Sequence, residues 1–203
     1  MEITFLGMAS FKLKFGDGMI LLTDPYGFDK SGLQFPKTMA DIVTVSSSDK
    51  NHSNVKGIIG PVKREEIFFV GEEGEYEMGG VEVVAKQVSK DNLITVIREN
   101  GIAVCHLGNM SDMLTDKQIE KIGPIDILML PIGGEKRLKP KDIGSLISGM
   151  SPSIAIPMFY DPKEKELEEF LNSTSLEVML ENVDKLKVNE NTLPEDTKVV
   201  VFT

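Results

Sequence analysis

Short apolar runs separated by turn residues fill the first half of the chain, and this pattern constrains the fold more than any other feature of the sequence. The runs are Ile3 to Leu6, Phe11 to Phe15, Met19 to Leu22, Ile42 to Val45, Ile67 to Val70 and Val81 to Val84. Each is too short for a helix and is bounded by the Gly, Asp, Asn or Pro residues that end strands. Gly16-Asp17-Gly18 and Gly79-Gly80 are of hairpin type, because glycine reaches the positive φ that tight two-residue turns require. The opening therefore reads as a β-meander.

After Asn92 the pattern changes. LITVIREN and IAVCHL flank a turn at Asn100-Gly101, and LTDKQIEKIG then places Leu114, Ile119 and Ile122 at helical spacing. Thr115 or Ser111 can cap that helix, with Asp116 near the positive end of its dipole. IDILMLPIG reads as a buried strand, KPKDIGSLISGM as a helix and SIAIPMFY as another strand. DPKEKELEEFLNS places Pro162 at a helix start and turns Leu167, Phe170 and Leu171 inward. Two short strands are expected in DKLKVNENTLPEDTKVVVF. No low-complexity linker divides the chain, so one domain over residues 1–203 is expected, with two sheets packed face to face and helices outside.

Composition narrows the function. At 203 residues and 41% apolar content the chain can bury one sizeable core. Its 32 acidic against 22 basic side chains, a net charge of −10, repel phosphate backbones and anionic lipid, so neither nucleic acid nor a membrane is an expected partner. The single cysteine, Cys105, forms no internal disulfide. The N-terminus has no signal-peptide form, and the longest apolar runs fall well short of the roughly 20 residues of a membrane span. A cytoplasmic location is expected.

Residues 43–55, VTVSSSDKNHSNV, join a strand to a cluster of small polar residues and one histidine. Ser47, Asp49 and His52 lie within six residues of one another, but sequence proximity supplies neither the fixed Ser–His hydrogen bond nor the oxyanion hole of a hydrolytic triad. The Ser46-Ser47-Ser48-Asp49 run is better read as a loop whose side chains satisfy its own amides. Adjacent Cys105 and His106 point to opposite faces of a strand, so they form no dyad, and Cys105 is expected in the core. Gly133-Gly134 fits no phosphate loop and reads as a turn at a sheet edge.

Several segments taken together resemble the metallo-β-lactamase superfamily, in particular its small branch related to L-ascorbate-6-phosphate lactonase. They are ITFLGMASFKL, LLTDPYG, ADIVTVSSSDKNHSNV, GEYEMGGVEV, VCHLGNMSDMLTDKQIEKIGPIDILMLPIGG, SPSIAIPMFY and LPEDTKVVVF, in order across nearly the whole chain. The resemblance implies an α/β fold, a four-layer αββα sandwich, with a metal site on loops at one edge of the two sheets. It also implies that a His-x-His-x-Asp-His motif should follow ADIV. Ser47, Asp49 and Asn51 stand at the first three ligand positions, and His52 alone keeps its type. Met8 replaces the histidine after the first strand, Asn109 the bridging aspartate and Phe159 the last histidine, while VSKDN offers none.

A two-metal site of this kind uses about four to five imidazoles. The chain has two histidines, His52 and His106. The resemblance therefore suggests a former cleft formed by Met8, Asp24, Ser47, Asp49, Asn51, His52, Asn109 and Phe159, without its two-metal centre, cofactor or hydrolase activity. Such a scaffold would bind a small neutral molecule or a protein, and a homo-oligomer is a further reading. The alternative is a metal-dependent hydrolase of lactones or phosphoesters, with one Zn or Mn ion on Asp49, His52 and His106, or with Asp24 and other oxygen ligands.

Overall fold

The computed structural model describes residues 1–27, 34–49, 52–61, 66–133, 138–160 and 165–203. Asn51, Gly134 and Pro162 lie outside them. Strands β1 (Glu2–Gly7), β2 (Ser10–Lys14) and β3 (Ile20–Thr23) pair antiparallel, as a meander should. The meander stops there. β4 (Ile42–Thr44) joins β3 in parallel, and β5 (Phe68–Val70) joins β4 in parallel, because long connections rather than tight turns precede both.

The second sheet begins with the antiparallel β6 (Gly74–Met78), β7 (Val81–Ser89), β8 (Asn92–Glu99) and β9 (Ile102–His106). It continues in parallel through β10 (Ile127–Pro131) and β11 (Ile154–Met158). Beyond these, β12 (Glu177–Val183) occupies the far edge, β13 (Lys185–Lys187) returns to the first sheet beside β1, and β14 (Lys198–Phe202) lies between β11 and β12. The spatial orders are β13-β1-β2-β3-β4-β5 and β12-β14-β11-β10-β9-β8-β7-β6.

Alternation along the strands builds the core between the sheets. Ile3, Phe11, Leu13 and Leu21 from one sheet meet Ile97, Val104, Ile127, Ile156 and Phe202 from the other, all essentially without solvent contact. Phe11 bridges them, with ring centroids 5.1 Å from Phe5 and 5.9 Å from Phe202. Helices α1 (Asp116–Ile122), α2 (Pro140–Met150) and α3 (Glu166–Thr174) bury Ile122, Leu146 and Phe170 against the outer face of the second sheet. Leu167 and Leu171 pack beside them, and Cys105 is buried in this same layer. Thr115 rather than Ser111 caps α1, in a reciprocal capping box with Gln118. The outer face of the first sheet carries Leu22, Val43 and Val45, packed by Phe35, Ile58 and Ile67 from connecting segments.

Asp24 follows β3, Ser46 lies just past β4, Gly108 just past β9, and Phe159 follows β11. Parallel strands align their carboxyl ends, and the loops leaving them gather polar residues on one rim of the sandwich, where ligands of open α/β sheets usually bind.

Candidate active site

On that rim His52, Asp24 and Ser46 form a buried cluster, each at most 4% exposed. The His52 Nδ1–H donates to Asp24 Oδ2 at 2.7 Å. The Ser46 hydroxyl donates to the same oxygen at 2.5 Å, and the Ser46 amide donates to Oδ1 at 2.7 Å. Burial by itself would raise the Asp24 carboxyl. The hydrogen bond from His52 opposes that most, helped by the positive potential of both imidazoles and by Ser46, and the net effect holds the group below the ordinary carboxylate range. With Nδ1 as the donor, Nε2 of His52 is the nitrogen that carries the lone pair in the neutral ring. No hydrogen bond reaches that nitrogen among the described residues.

The surrounding backbone is strained. Met8, Asp24 and Phe159 have φ of 55°, 40° and 59°, a left-handed region that costs a non-glycine residue roughly 1–2 kcal/mol. Residues held so cluster at functional sites, where neighbouring structure over-determines them. Here the Phe159 amide donates to the Met8 carbonyl at 3.0 Å, locking two of the three together, and the Phe159 ring lies 5.2 Å from the His52 ring. A Cβ on Gly133 would come within 1.9 Å of the Phe159 carbonyl oxygen, so the strand-end turn after β10 braces the same residue.

His106 stands apart from this presentation. Its Nε2 is 2.8 Å from the Ala9 carbonyl, and its Nδ1 accepts from the Gly108 amide at 3.2 Å. Burial outweighs the Asp24 charge and the Ala9 hydrogen bond, and pushes the imidazole below its ordinary value. With both ring nitrogens engaged, His106 braces the rim. Asp24 likewise spends both oxygens on Ser46 and His52. The expected ion-binding set placed either of these two beside Asp49 and His52; in this structure protein groups engage both.

Ser47, Asp49 and Asn109 are placed together, in the wall of a cavity of about 530 Å³ next to the cluster. Asn109 is held there by Asn92, whose Oδ1 accepts from the Asn109 amide at 2.9 Å. Gly108 closes the gap to the cluster: a Cβ on it would lie 2.4 Å from that of Ser46. Met8, Asp24, His52 and Phe159 thus form one group, and Ser47, Asp49 and Asn109 another beside it. Two members were not singled out from sequence, Ser46 and Asn92. Continuing the alternation Ile42, Thr44, Ser46 along β4 would have found the first, because Ile42 faces the second sheet while Val43 and Val45 face outward.

This sandwich and its rim define a chain of metallo-β-lactamase type. A beta-lactamase superfamily domain matches residues 2–159, and the chain belongs to that superfamily. Within it, the chain is similar to a UPF0173 metal-dependent hydrolase of Methanopyrus kandleri, with 26% identity over 84% of this chain and 90% of that protein. A UPF0173 metal-dependent hydrolase of Thermococcus onnurineus is 32% identical over 37% of this chain and 35% of its own length. Among solved structures, a Thermotoga maritima protein whose name proposes a Zn-dependent hydrolase of this superfamily superposes with a TM-score of 0.80 at 29% identity, covering 99% of this chain and 97% of that one.

These relatives overturn two expectations drawn from the missing ligands: that the chain is a scaffold without hydrolase activity, and that it needs no cofactor. The relatives carry the names of metal-dependent hydrolases, and the Thermotoga maritima protein that of a proposed Zn-dependent one. Counting imidazoles measured the distance from one ligand pattern, and that distance is not a measure of activity.

Proposed function

We propose that this chain is a metal-dependent hydrolase with an altered, single-ion site, acting on an ester-type bond such as that of a lactone or phosphoester. The observation that carries this reading is the Asp24–His52 pair. A metal-ligating histidine typically donates its other ring N–H to a carboxylate, which fixes its tautomer and aims its free nitrogen. His52 is held in that way by an aspartate that burial and hydrogen bonds keep in place.

The donor set does not fit the two-ion centre of the superfamily. Among the described residues no three His, Cys, Asp or Glu side chains lie close enough together to hold an ion. His52 is the one imidazole held in this way, and Asp49, Ser47 and Asn109 are the oxygen donors of the adjoining loops, in the wall of the cavity of about 530 Å³. What the chain itself does is position His52 through Asp24, fix Asp24 through Ser46, and cover the imidazole with Phe159.

The test is elemental mass spectrometry on untagged protein dialysed against Zn, Mn or Fe, together with hydrolysis of a lactone and phosphodiester panel. Near one equivalent of one ion, lost together with hydrolysis in His52→Ala, is expected. Less than about a tenth of an equivalent, unchanged by the substitution and without turnover, would refute the reading.

A further inference from the structure

A histidine that waits for a ligand has to be held by the protein. The Nδ1–H bond to Asp24 fixes one edge of the His52 ring, but a hydrogen bond keeps most of its strength over roughly 30° of misalignment, so it leaves the tilt of the ring loosely set. Where several imidazoles share an ion, the bonds that each makes steady the others. His52 has no such neighbour, because the other imidazole, His106, is engaged by Ala9 and Gly108. A second restraint is present all the same. The Phe159 ring lies with its centroid 5.2 Å from that of His52 and its plane inclined by 52°.

This contact is built on strained backbone. Phe159 has φ of 59°, its amide donates to the carbonyl of the equally strained Met8, and glycine at 133 admits its carbonyl oxygen. Glycine at position 159 would take the same bend freely, so the turn alone gives no reason for an aromatic side chain there. The ring also packs against the core between the sheets, where close packing limits its movement.

We propose that Phe159 is a positioning residue, whose ring holds the imidazole of His52 and shields its hydrogen bond to Asp24, so that one imidazole alone can present Nε2 to a ligand. The inference rests on the single-ion hydrolase reading. Phe159 has no lone pair, so its part is steric and apolar: it restrains the tilt and keeps water from the Nδ1–H bond, which is stronger where water is excluded.

The chain has two histidines, which makes the experiment direct. In ion-free protein, proton–nitrogen NMR of the imidazoles should show one proton on Nδ1, from His52, and one on Nε2, from His106, which donates to Ala9. Phe159→Leu and Phe159→Gly should each speed exchange of the His52 proton with water by about tenfold or more. They should also weaken the zinc binding that His52→Ala removes, read by calorimetric titration, by about tenfold to a hundredfold, the usual loss for a group that orients a ligand. Phe159→Tyr should keep both close to the parent. The His106 proton should stay unchanged in every variant and marks a native fold. Phe159→Gly separates the ring from the turn, since it relieves the backbone and removes the side chain. A His52 proton that exchanges as slowly without the ring, or zinc bound as tightly or more tightly, would overturn the proposal and reduce Phe159 to a turn residue or a lid. The two readings fail separately. A parent chain that binds no zinc refutes the single-ion hydrolase, whereas exchange of the His52 proton, measured without any ion, decides whether Phe159 holds the ring.

Discussion

Asp24 is the residue on which the rim depends, since it satisfies the Ser46 amide, the Ser46 hydroxyl and His52 Nδ1 at once. Asp24→Ala leaves these buried donors unpaired and should cost about 3 kcal/mol in urea denaturation. The pH dependence has a definite sign. Because the folded carboxyl sits below its unfolded value, its contribution to stability is complete above about pH 4 and is lost as pH falls through the lower, folded value. His106 adds to acid lability at a higher pH. Its folded state resists protonation, so stability falls as pH drops below about 6.5, where the unfolded imidazole takes up a proton. Denaturation at pH 7 and pH 5 should show this loss, and His106→Gln should reduce it. Cys105 lies at the other extreme of function: burial pushes its thiol up to about 12, against the weaker pull of Arg98. It should react with a thiol reagent only at the rate of unfolding, and rapid labelling of native protein would contradict its core placement.

Elements were more legible in the sequence than the contacts between them. Period-two runs located β1 to β5, and helical spacing located α1 to α3, because those patterns are local consequences of burying one face. β12 was missed. LEVMLENV sits at a sheet edge with most of its side chains half-buried or exposed, so no strong apolar alternation marks it. The parallel pairing of β3, β4 and β5 was also hidden, since alternation reports which face is buried and not which strand lies alongside. At the rim, Asp24 reads as a turn residue in Asp-Pro, and its role appears only when residues 28 positions apart meet at His52. Helix ends were partly readable. Thr115 announces α1, whereas α3 ends on Ser175 at φ 53°, a position that glycine would take without strain. Ser175 is exposed, so Ser175→Gly should stabilise the protein by about 1 kcal/mol, read as a shift in the urea midpoint with an unchanged slope. A destabilising result would mean that the serine makes a contact outweighing its backbone cost.

At the scale of the whole molecule, the rim lies where both sheets end, so whatever binds there is coupled to the sandwich as a unit. Asp24 and Ser46 extend the first sheet, Gly108 and Phe159 the second, and the Phe159 amide to Met8 carbonyl bond ties one to the other. Among the described residues no helix is long and apolar enough to cross a membrane. An ion held at this junction would therefore act on global unfolding, because the unfolded chain does not bring residues 24, 46, 52 and 159 together. Binding to the native state alone adds RT ln(1 + [L]/Kd), about 2.7 kcal/mol at a hundredfold excess over Kd. For a chain of this length that corresponds to a rise in Tm of roughly 5–10 °C. Chelator-treated protein titrated with Zn or Mn should show such a rise, growing with the logarithm of ion concentration. His52→Ala should lower the starting Tm and abolish the dependence, since it removes the one imidazole prepared for a ligand bond. Ser175→Gly, remote from the rim in sequence and element, should shift Tm upward and keep the dependence intact. A rise that persists in His52→Ala would place the ion elsewhere on this acidic surface, and no rise in the parent chain would leave the Asp24–His52 pair without the ion for which its geometry is suited.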